Sequence, residues 1–237
     1  MTEALHALVL AAHPDDAELW AGGTILRWTA AGLRVGVLDC TRGELGTRGD
    51  VATRTRECEE ASRLLGLTWR GNLERPDGHV LPDLALRADI ARVLCEWRPR
   101  ILLVPHERDL HPDHSATGRA GREAWQRAGL ARWAEAEGLT PHRPERLYET
   151  LGHLPFEPDC IVDISAVRER KHAVLEAYAS QWSAADANDT GDHQLARGTL
   201  LELVELRDRS HGARIGVVAG EPLRHEGPLP AFDPLLP

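Results

Sequence analysis

Short apolar runs alternate with amphipathic stretches along most of this chain. The runs fall at Leu5–Ala12, Arg34–Cys40, Arg100–Pro105 and Asp159–Ile164, lengths that suit buried strands. Apolar residues recur at helical spacing near Ala17–Ala31, Thr53–Leu65, Leu84–Trp97, His114–Ala128, Ala166–Ser180 and Gly198–His211. This alternation predicts an α/β fold, a Rossmann-like, mostly parallel sheet with helices on both faces. Two stretches break the pattern. Ser183–His193 is polar and rich in Asp, Ala and Asn, and reads as a mobile loop. Residues 221–237 carry Pro222, Pro228, Pro230, Pro234 and Pro237, which predicts an extended tail over the surface or against a neighbouring subunit. With no internal repeat and no linker, residues 1–237 read as a single domain.

The chemistry concentrates where two of the predicted strands end. His13-Pro14-Asp15-Asp16 follows the first run, and His111-Pro112-Asp113-His114 follows the third. Open α/β sheets place their chemistry at the carboxyl ends of strands. Histidine nitrogen and aspartate oxygen are good zinc ligands, and a catalytic zinc needs three of them plus an open position. His13, Asp16 and His114 supply such a set. Asp15 and His111 then remain for proton transfer, with Asp113 placed to orient His111 through a hydrogen bond. A reading without metal makes H-P-D-D a turn whose Asp15 or Asp16 caps the following helix. Gly22-Gly23 lies inside a helical pattern, where glycine is costly, and so implies close backbone packing. His106 sits close enough to the second cluster for a pocket role. His6, His79, His142, His153, His172, His193, His211 and His225 read as ordinary surface or core residues.

Composition narrows the setting more than the chemistry. With 237 residues the chain can bury a sizeable core. Its 28 basic against 37 acidic residues give a net charge of −9, which argues against a nucleic-acid partner. Met1-Thr2-Glu3-Ala4-Leu5-His6 lacks the basic region and cleavage site of a signal peptide, and no apolar run is long enough to span a bilayer. Cys40, Cys58, Cys95 and Cys160 are widely spaced and form no C-x-x-C pair. Reduced thiols and a cytoplasmic location are therefore expected. Cys40 ends a predicted strand, which leaves a role facing the site open.

"AAHPDDAELWAGGTI" together with "PHERDLHPDH" resembles the LmbE-like, PIG-L-type N-acetylglucosamine deacetylases. The segments "TRGELGTRGD", "ATRTRECEEASRLLG", "PDGHV", "ISAVRERKHAVLEAYASQW" and "GARIGV" follow in the order found in the branch that makes bacillithiol. The resemblance implies zinc-dependent removal of acetate from an N-acetylglucosaminyl malate. It implies one zinc per chain on His13, Asp16 and His114, with iron(II) as an alternative. Asp15 matches the general base. His111 matches the residue that stabilises the oxyanion in protonated form, with Asp113 behind it. Arg54 matches a substrate-contacting arginine; its alternative is a solvent-facing residue in a charge run. Asp77 matches a contact to a sugar hydroxyl, with a surface turn as the alternative, and Glu44 lies in a loop bordering the site. Arg143 and Tyr178 match residues near the pocket or a subunit interface. The resemblance also implies a homo-oligomer, a hexamer.

Trp20 departs from the family pattern, which has a smaller residue at that place, and so either fills the core or narrows the sugar pocket. The poorly matching segments 183–193 and 221–237 leave other acyl-sugar or small-amide substrates open. A non-catalytic metal- or sugar-binding protein on the same scaffold is the remaining alternative.

Overall fold

A computed structural model of the protein describes residues 3–46, 50–182 and 199–228. The chain runs β1 (Ala7–Ala11), α1 (Asp16–Ala30), β2 (Val35–Thr41), α2 (Val51–Leu65), β3 (Trp69–Arg75), α3 (Leu84–Trp97) and β4 (Ile101–Pro105). It continues α4 (Pro112–Ala128), α5 (Ala131–Ala136), β5 (Arg146–Thr150), β6 (Cys160–Asp163), α6 (Arg168–Glu176), α7 (Ala179–Trp182), α8 (Thr199–Arg214) and β7 (Gly220–His225). The strands form a seven-stranded sheet in the order β3-β2-β1-β4-β5-β7-β6. Pairing is parallel from β3 to β5, while β7 runs antiparallel to both β5 and β6. The predicted α/β architecture is thus observed.

Period-two alternation builds two cores from one strand. Ala7, Val9 and Ala11 of β1 pack with α1, α2 and α6. Leu8 and Leu10 face the other way, onto α3 and α4. A strand buried on both faces has no polar positions, which is why its sequence reads as a continuous apolar run. The chain leaves β1 toward β2 on one side, and β4 returns on the other. The order reverses between β1 and β4, so a crevice opens at their carboxyl ends. Small residues bring α4 against β4: a Cβ at Gly118 would lie 2.1 Å from the Pro105 carbonyl oxygen, and one at Gly121 2.7 Å from Val104.

The glycine pair of α1 serves close packing, as expected. A Cβ at Gly23 would meet Ile164 at 2.7 Å. Here Glu221 of β7, fully buried, accepts hydrogen bonds from the Gly23 and Thr24 amides at 2.8 and 2.7 Å, and Lys171 pairs with it at 2.7 Å. Arg207 of α8 donates to the carbonyl of Leu19, four residues before Gly23.

The structure corrects the reading of the C-terminal stretch. Residues 220–225 are not part of an extended tail but strand β7, inside the sheet. Proline is tolerated there because its missing N–H faces a gap. The Glu226 amide bonds to Leu147 of β5, and amides two and four residues earlier point the same way; at Pro222 β5 has already ended, since its last pair is Thr150 with Leu223. Residues 229–237 lie outside the described residues, as does the stretch 183–193. The helix expected over Ala166–Ser180 is broken into a 3₁₀ turn at Ser165–Val167, then α6 and α7. Strands β3 and β5 and helix α5 have no counterpart among the predicted elements. Among the described residues no helix is long and apolar enough to cross a membrane.

Candidate active site

A cavity of about 450 Å³ opens at the crevice between β1 and β4. Its floor comes from the turn after β1. Pro14 restricts its neighbours, and Asp15 takes φ 116°, a left-handed conformation that costs a non-glycine residue roughly 1–3 kcal/mol. Asp15 stands at the N-cap of α1, yet its side chain makes no capping bond. The turn-and-cap reading therefore fails for Asp15. The kink sends the two neighbouring carboxylates to different partners. Asp16 accepts the His13 amide at 2.9 Å and lies 3.3 Å from His13 Nδ1 and 3.2 Å from His114 Nε2. Asp15 instead faces Arg54, 3.5 Å from Nη1.

Three carboxylates surround His13: besides Asp16, Asp77 lies 3.1 Å and Asp113 3.3 Å from Nε2. Burial alone would lower the His13 pKa, but hydrogen bonds to Asp113, Asp16 and Asp77 outweigh it and raise the pKa to about 12. For His114, burial is likewise outweighed by the charge of Asp16 and by hydrogen bonds to Asp109 and Asp16, and its pKa rises to about 9. Asp16 is held well below the usual carboxylate range because both rings overcome its burial. Asp15 moves the other way, to about 7: burial raises it, Arg54 opposes, and the charge of Asp16 adds to the rise. Three sets of potential ligand atoms each converge to within 4.8 Å: His13 with His111 and His114, Asp109 with His114 and His153, and His13 with Asp77 and Asp113. None of these sets is the expected trio of His13, Asp16 and His114: Asp16 contacts both rings, but through different oxygens, Oδ2 toward His13 and Oδ1 toward His114.

Other expected residues are placed differently. His111 lines the cavity and caps α4, where its Nδ1 accepts the backbone N–H of Asp113 at 3.2 Å. The Asp113 carboxylate does not orient His111. It accepts the amides of Gly78 and Val80 at 2.8 and 3.1 Å and turns to His13, because it belongs to the first turn of α4 beside the 76–80 loop. Burial and the charges of His13 and His114 lower the His111 pKa, and with Nδ1 accepting the Asp113 amide, Nε2 is the nitrogen that carries the ring's proton. Arg54 is buried, not solvent-facing. It donates to the Pro14 carbonyl at 2.9 Å and to Gln181 at 2.6 Å, and a Cβ at Gly43 would come within 2.8 Å of it. Asp77 lines the cavity, but its oxygens serve the Leu45 amide and His13. Glu44 is exposed and does not line the cavity; it accepts the amides of Asp77 and Arg42 and so ties two loops together.

Trp20 belongs both to the core and to the cavity wall. It packs with Leu19, Leu175, Leu200 and Val204 and also lines the cavity, with the Arg207 guanidinium 5.1 Å from its ring. Tyr178 is core: fully buried, it donates to Glu18 at 3.0 Å. Arg143 is exposed against Trp125, away from the cavity. His106 is buried on Glu149 at 2.8 Å, and Cys40 is core, its thiol pushed up to about 12 by burial. The four cysteines are free. His153 reads as ordinary in the sequence, yet it lines the cavity and stacks on His114 with centroids 5.3 Å apart. Asp109, unremarked in the sequence, bonds to both rings. Its only sequence signal is its place just before H-P-D at a strand end.

The model of the PIG-L family, GlcNAc-PI de-N-acetylase, matches residues 8–125, the segment that carries both H-P-D clusters. The chain is 31% identical to the diacetylchitobiose deacetylase of Thermococcus kodakarensis over 188 residues, 74% of this chain and 69% of the relative. The chain belongs to the PIG-L deacetylase family. It is 31% identical to the 1D-myo-inositol 2-acetamido-2-deoxy-alpha-D-glucopyranoside deacetylase of Saccharomonospora viridis, over 73% of this chain and 84% of that one. A conserved protein from Thermus thermophilus, TT1542, superposes with a TM-score of 0.85 at 39% identity, covering 97% of both chains. Membership in this family makes the chain an enzyme, a hydrolase of the deacetylase type.

Proposed function

We propose that this chain hydrolyses the acetamide of an N-acetylglucosaminyl conjugate, with a divalent metal held by His13, Asp16 and His114. The carrying observation is the opposite use of two adjacent carboxylates. Asp16 is wedged between two imidazoles, while Asp15 is turned away into the same cavity toward Arg54. The donor set suits zinc, with iron(II) as the alternative. Carboxylates crowd the two rings so closely that, without a cation, protons fill the place of one. Bound there, the metal supplies Lewis acidity toward the acetyl carbonyl and lowers the pKa of nearby water. Asp15 takes the proton of the attacking water, its basicity raised by burial. His111, neutral, directs Nε2–H at the carbonyl oxygen as negative charge builds there. Arg54 holds Asp15 in place through its grip on the Pro14 carbonyl. Leu19, Trp20 and Leu200 give the cavity an apolar wall beside these groups.

The collinear motifs extend the reading to N-acetylglucosaminyl malate, an intermediate of bacillithiol biosynthesis, in a cytoplasmic homo-oligomer, a hexamer, with no nucleic-acid or membrane partner. The test is release of free amine by the zinc-loaded protein from N-acetylglucosaminyl malate, N,N′-diacetylchitobiose and N-acetylglucosamine. Preference for the malate glycoside supports the reading. Preference for diacetylchitobiose would replace the aglycone, and no release from any of them would overturn the deacetylase assignment. A monomeric mass by light scattering at micromolar concentration would refute the assembly alone.

A further inference from the structure

Asp109 lies behind two histidines that line the cavity, and no step above uses it. It lies in the loop between β4 and α4, and its side chain is 2% exposed. Four N–H groups converge on it. Oδ1 takes Nδ1 of His114 at 3.3 Å, Nδ1 of His153 at 2.8 Å and the amide of His111 at 2.8 Å; Oδ2 takes the amide of His153 at 2.9 Å. His153 comes from a different loop, between β5 and β6. That loop approaches so closely that a Cβ at Gly152 would lie 2.0 Å from Asp109 Oδ2. An ionised carboxylate only accepts hydrogen bonds, so both Nδ1 atoms must carry their protons. The two rings stack at an interplanar angle of 18°. On the far side of each ring is Nε2. That of His114 faces Asp16 at 3.2 Å, where a bound cation would replace its proton, and that of His153, on a ring that lines the cavity, has no hydrogen-bond partner among the described residues.

We propose that Asp109 is a positioning residue that fixes the tautomer of His114 and His153 together. It reserves Nε2 of His114 for the metal and makes Nε2 of His153 an acceptor for a hydroxyl group of the substrate's sugar. This rests on the metal reading given above. Carboxylates that hold the second nitrogen of a ligating histidine set both its orientation and its basicity. Asparagine cannot take over. With its oxygen toward the rings, its amide group meets the His153 N–H; flipped, it meets three donors.

The test uses the full chain, with zinc titrated against a competing chelator and histidine ¹⁵N spectra of the zinc-loaded protein. Asp109→Asn is expected to weaken zinc binding by about 10–100-fold. His153→Ala is expected to leave zinc affinity unchanged and to raise KM for the sugar substrate about 3–10-fold with kcat nearly constant, as loss of one ground-state hydrogen bond does. The spectra should show Nδ1–H on both rings. Should Asp109→Asn not fold, Gly152→Ala displaces the same carboxylate and should weaken zinc binding likewise. Wild-type zinc affinity in a folded Asp109→Asn, an unchanged KM in His153→Ala, or Nε2–H on His153 would overturn the proposal. So would two zinc ions per chain of which His153→Ala loses one, since Asp109 would then be a ligand. Wild-type protein that takes up no metal would overturn the metal reading itself, and this inference with it.

Discussion

Replacing Asp15 with asparagine separates a base from a ligand, and the structure sets what the change should cost. Asp15 makes no capping bond, so α1 loses nothing at its start. Its φ of 116° is uncommon for any side chain but is more often adopted by asparagine than by most residues, so the backbone strain is carried over. Its contact with Arg54 is long, at 3.5 Å, and with a pKa of about 7 the carboxyl is charged only part of the time at neutral pH. Folding should therefore lose much less than the roughly 3–5 kcal/mol typical of breaking a buried ion pair. The histidines and Asp16 are untouched, so metal content should stay at wild-type level. What disappears is the proton acceptor, and kcat should fall about 10²–10⁴-fold, or roughly 2.7–5.4 kcal/mol of barrier. Asp16→Asn should do the reverse: metal affinity drops, and excess zinc restores part of the rate. The assay pairs zinc content per chain with the rate of amine release for both variants. Zinc lost from Asp15→Asn and kept by Asp16→Asn would reverse the two roles. Near-wild-type kcat in Asp15→Asn would remove the base assignment altogether.

Without metal, His13 and His114 have pKa values of about 12 and 9 and are protonated at pH 7, so metal uptake should expel up to about two protons and weaken as pH falls. Calorimetry in two buffers of different ionisation enthalpy reads this directly, and proton-neutral binding would refute it. A cation beside Asp15 stabilises its carboxylate, so the acidic limb of kcat in the loaded enzyme should lie below the metal-free value of about 7; a limb at or above 7 would contradict the geometry. Gly118→Ala drives a Cβ toward the Pro105 carbonyl, a backbone atom that cannot swing aside, and should destabilise by about 1–3 kcal/mol in urea while shifting α4 and lowering metal affinity. Glu221→Gln weakens a buried group that serves Lys171 and two amides of α1, and a loss below about 1 kcal/mol in the same titration would show that this network braces nothing.

The strands buried on both faces were legible because they have to be apolar throughout. The two H-P-D clusters were legible because each follows such a strand. Strand β3 was not, because an edge strand carries polar residues such as Arg70, which turns inward to Asp39 and Glu18. Strand β7 was hidden by Pro222, whose tolerance depends on where β5 stops. Asp15 and Asp16 look alike in sequence; a single backbone angle separates their partners. Arg54 looks like one charge among several in α2, and only the loop glycines packed over it show that it is enclosed. Asp109 and His153 are 44 residues apart, and their importance arises from two loops meeting, which no local pattern records.

The position of β7 bears on how the enzyme is made. Every histidine and carboxylate of the cavity has been synthesised once residue 153 has been added. Yet the strand lying between β5 and β6 is synthesised after both of them. Until residue 221 emerges, the middle of α1 lacks the carboxylate that receives its amides, and the helix that starts at Asp16 has no brace from behind. A nascent chain therefore holds all of its candidate metal ligands well before it holds them in place, and closing the sheet by inserting its last strand is a long-range, slow event. Metal acquisition in the cell should accordingly follow the docking of β7 rather than accompany the synthesis of the ligands.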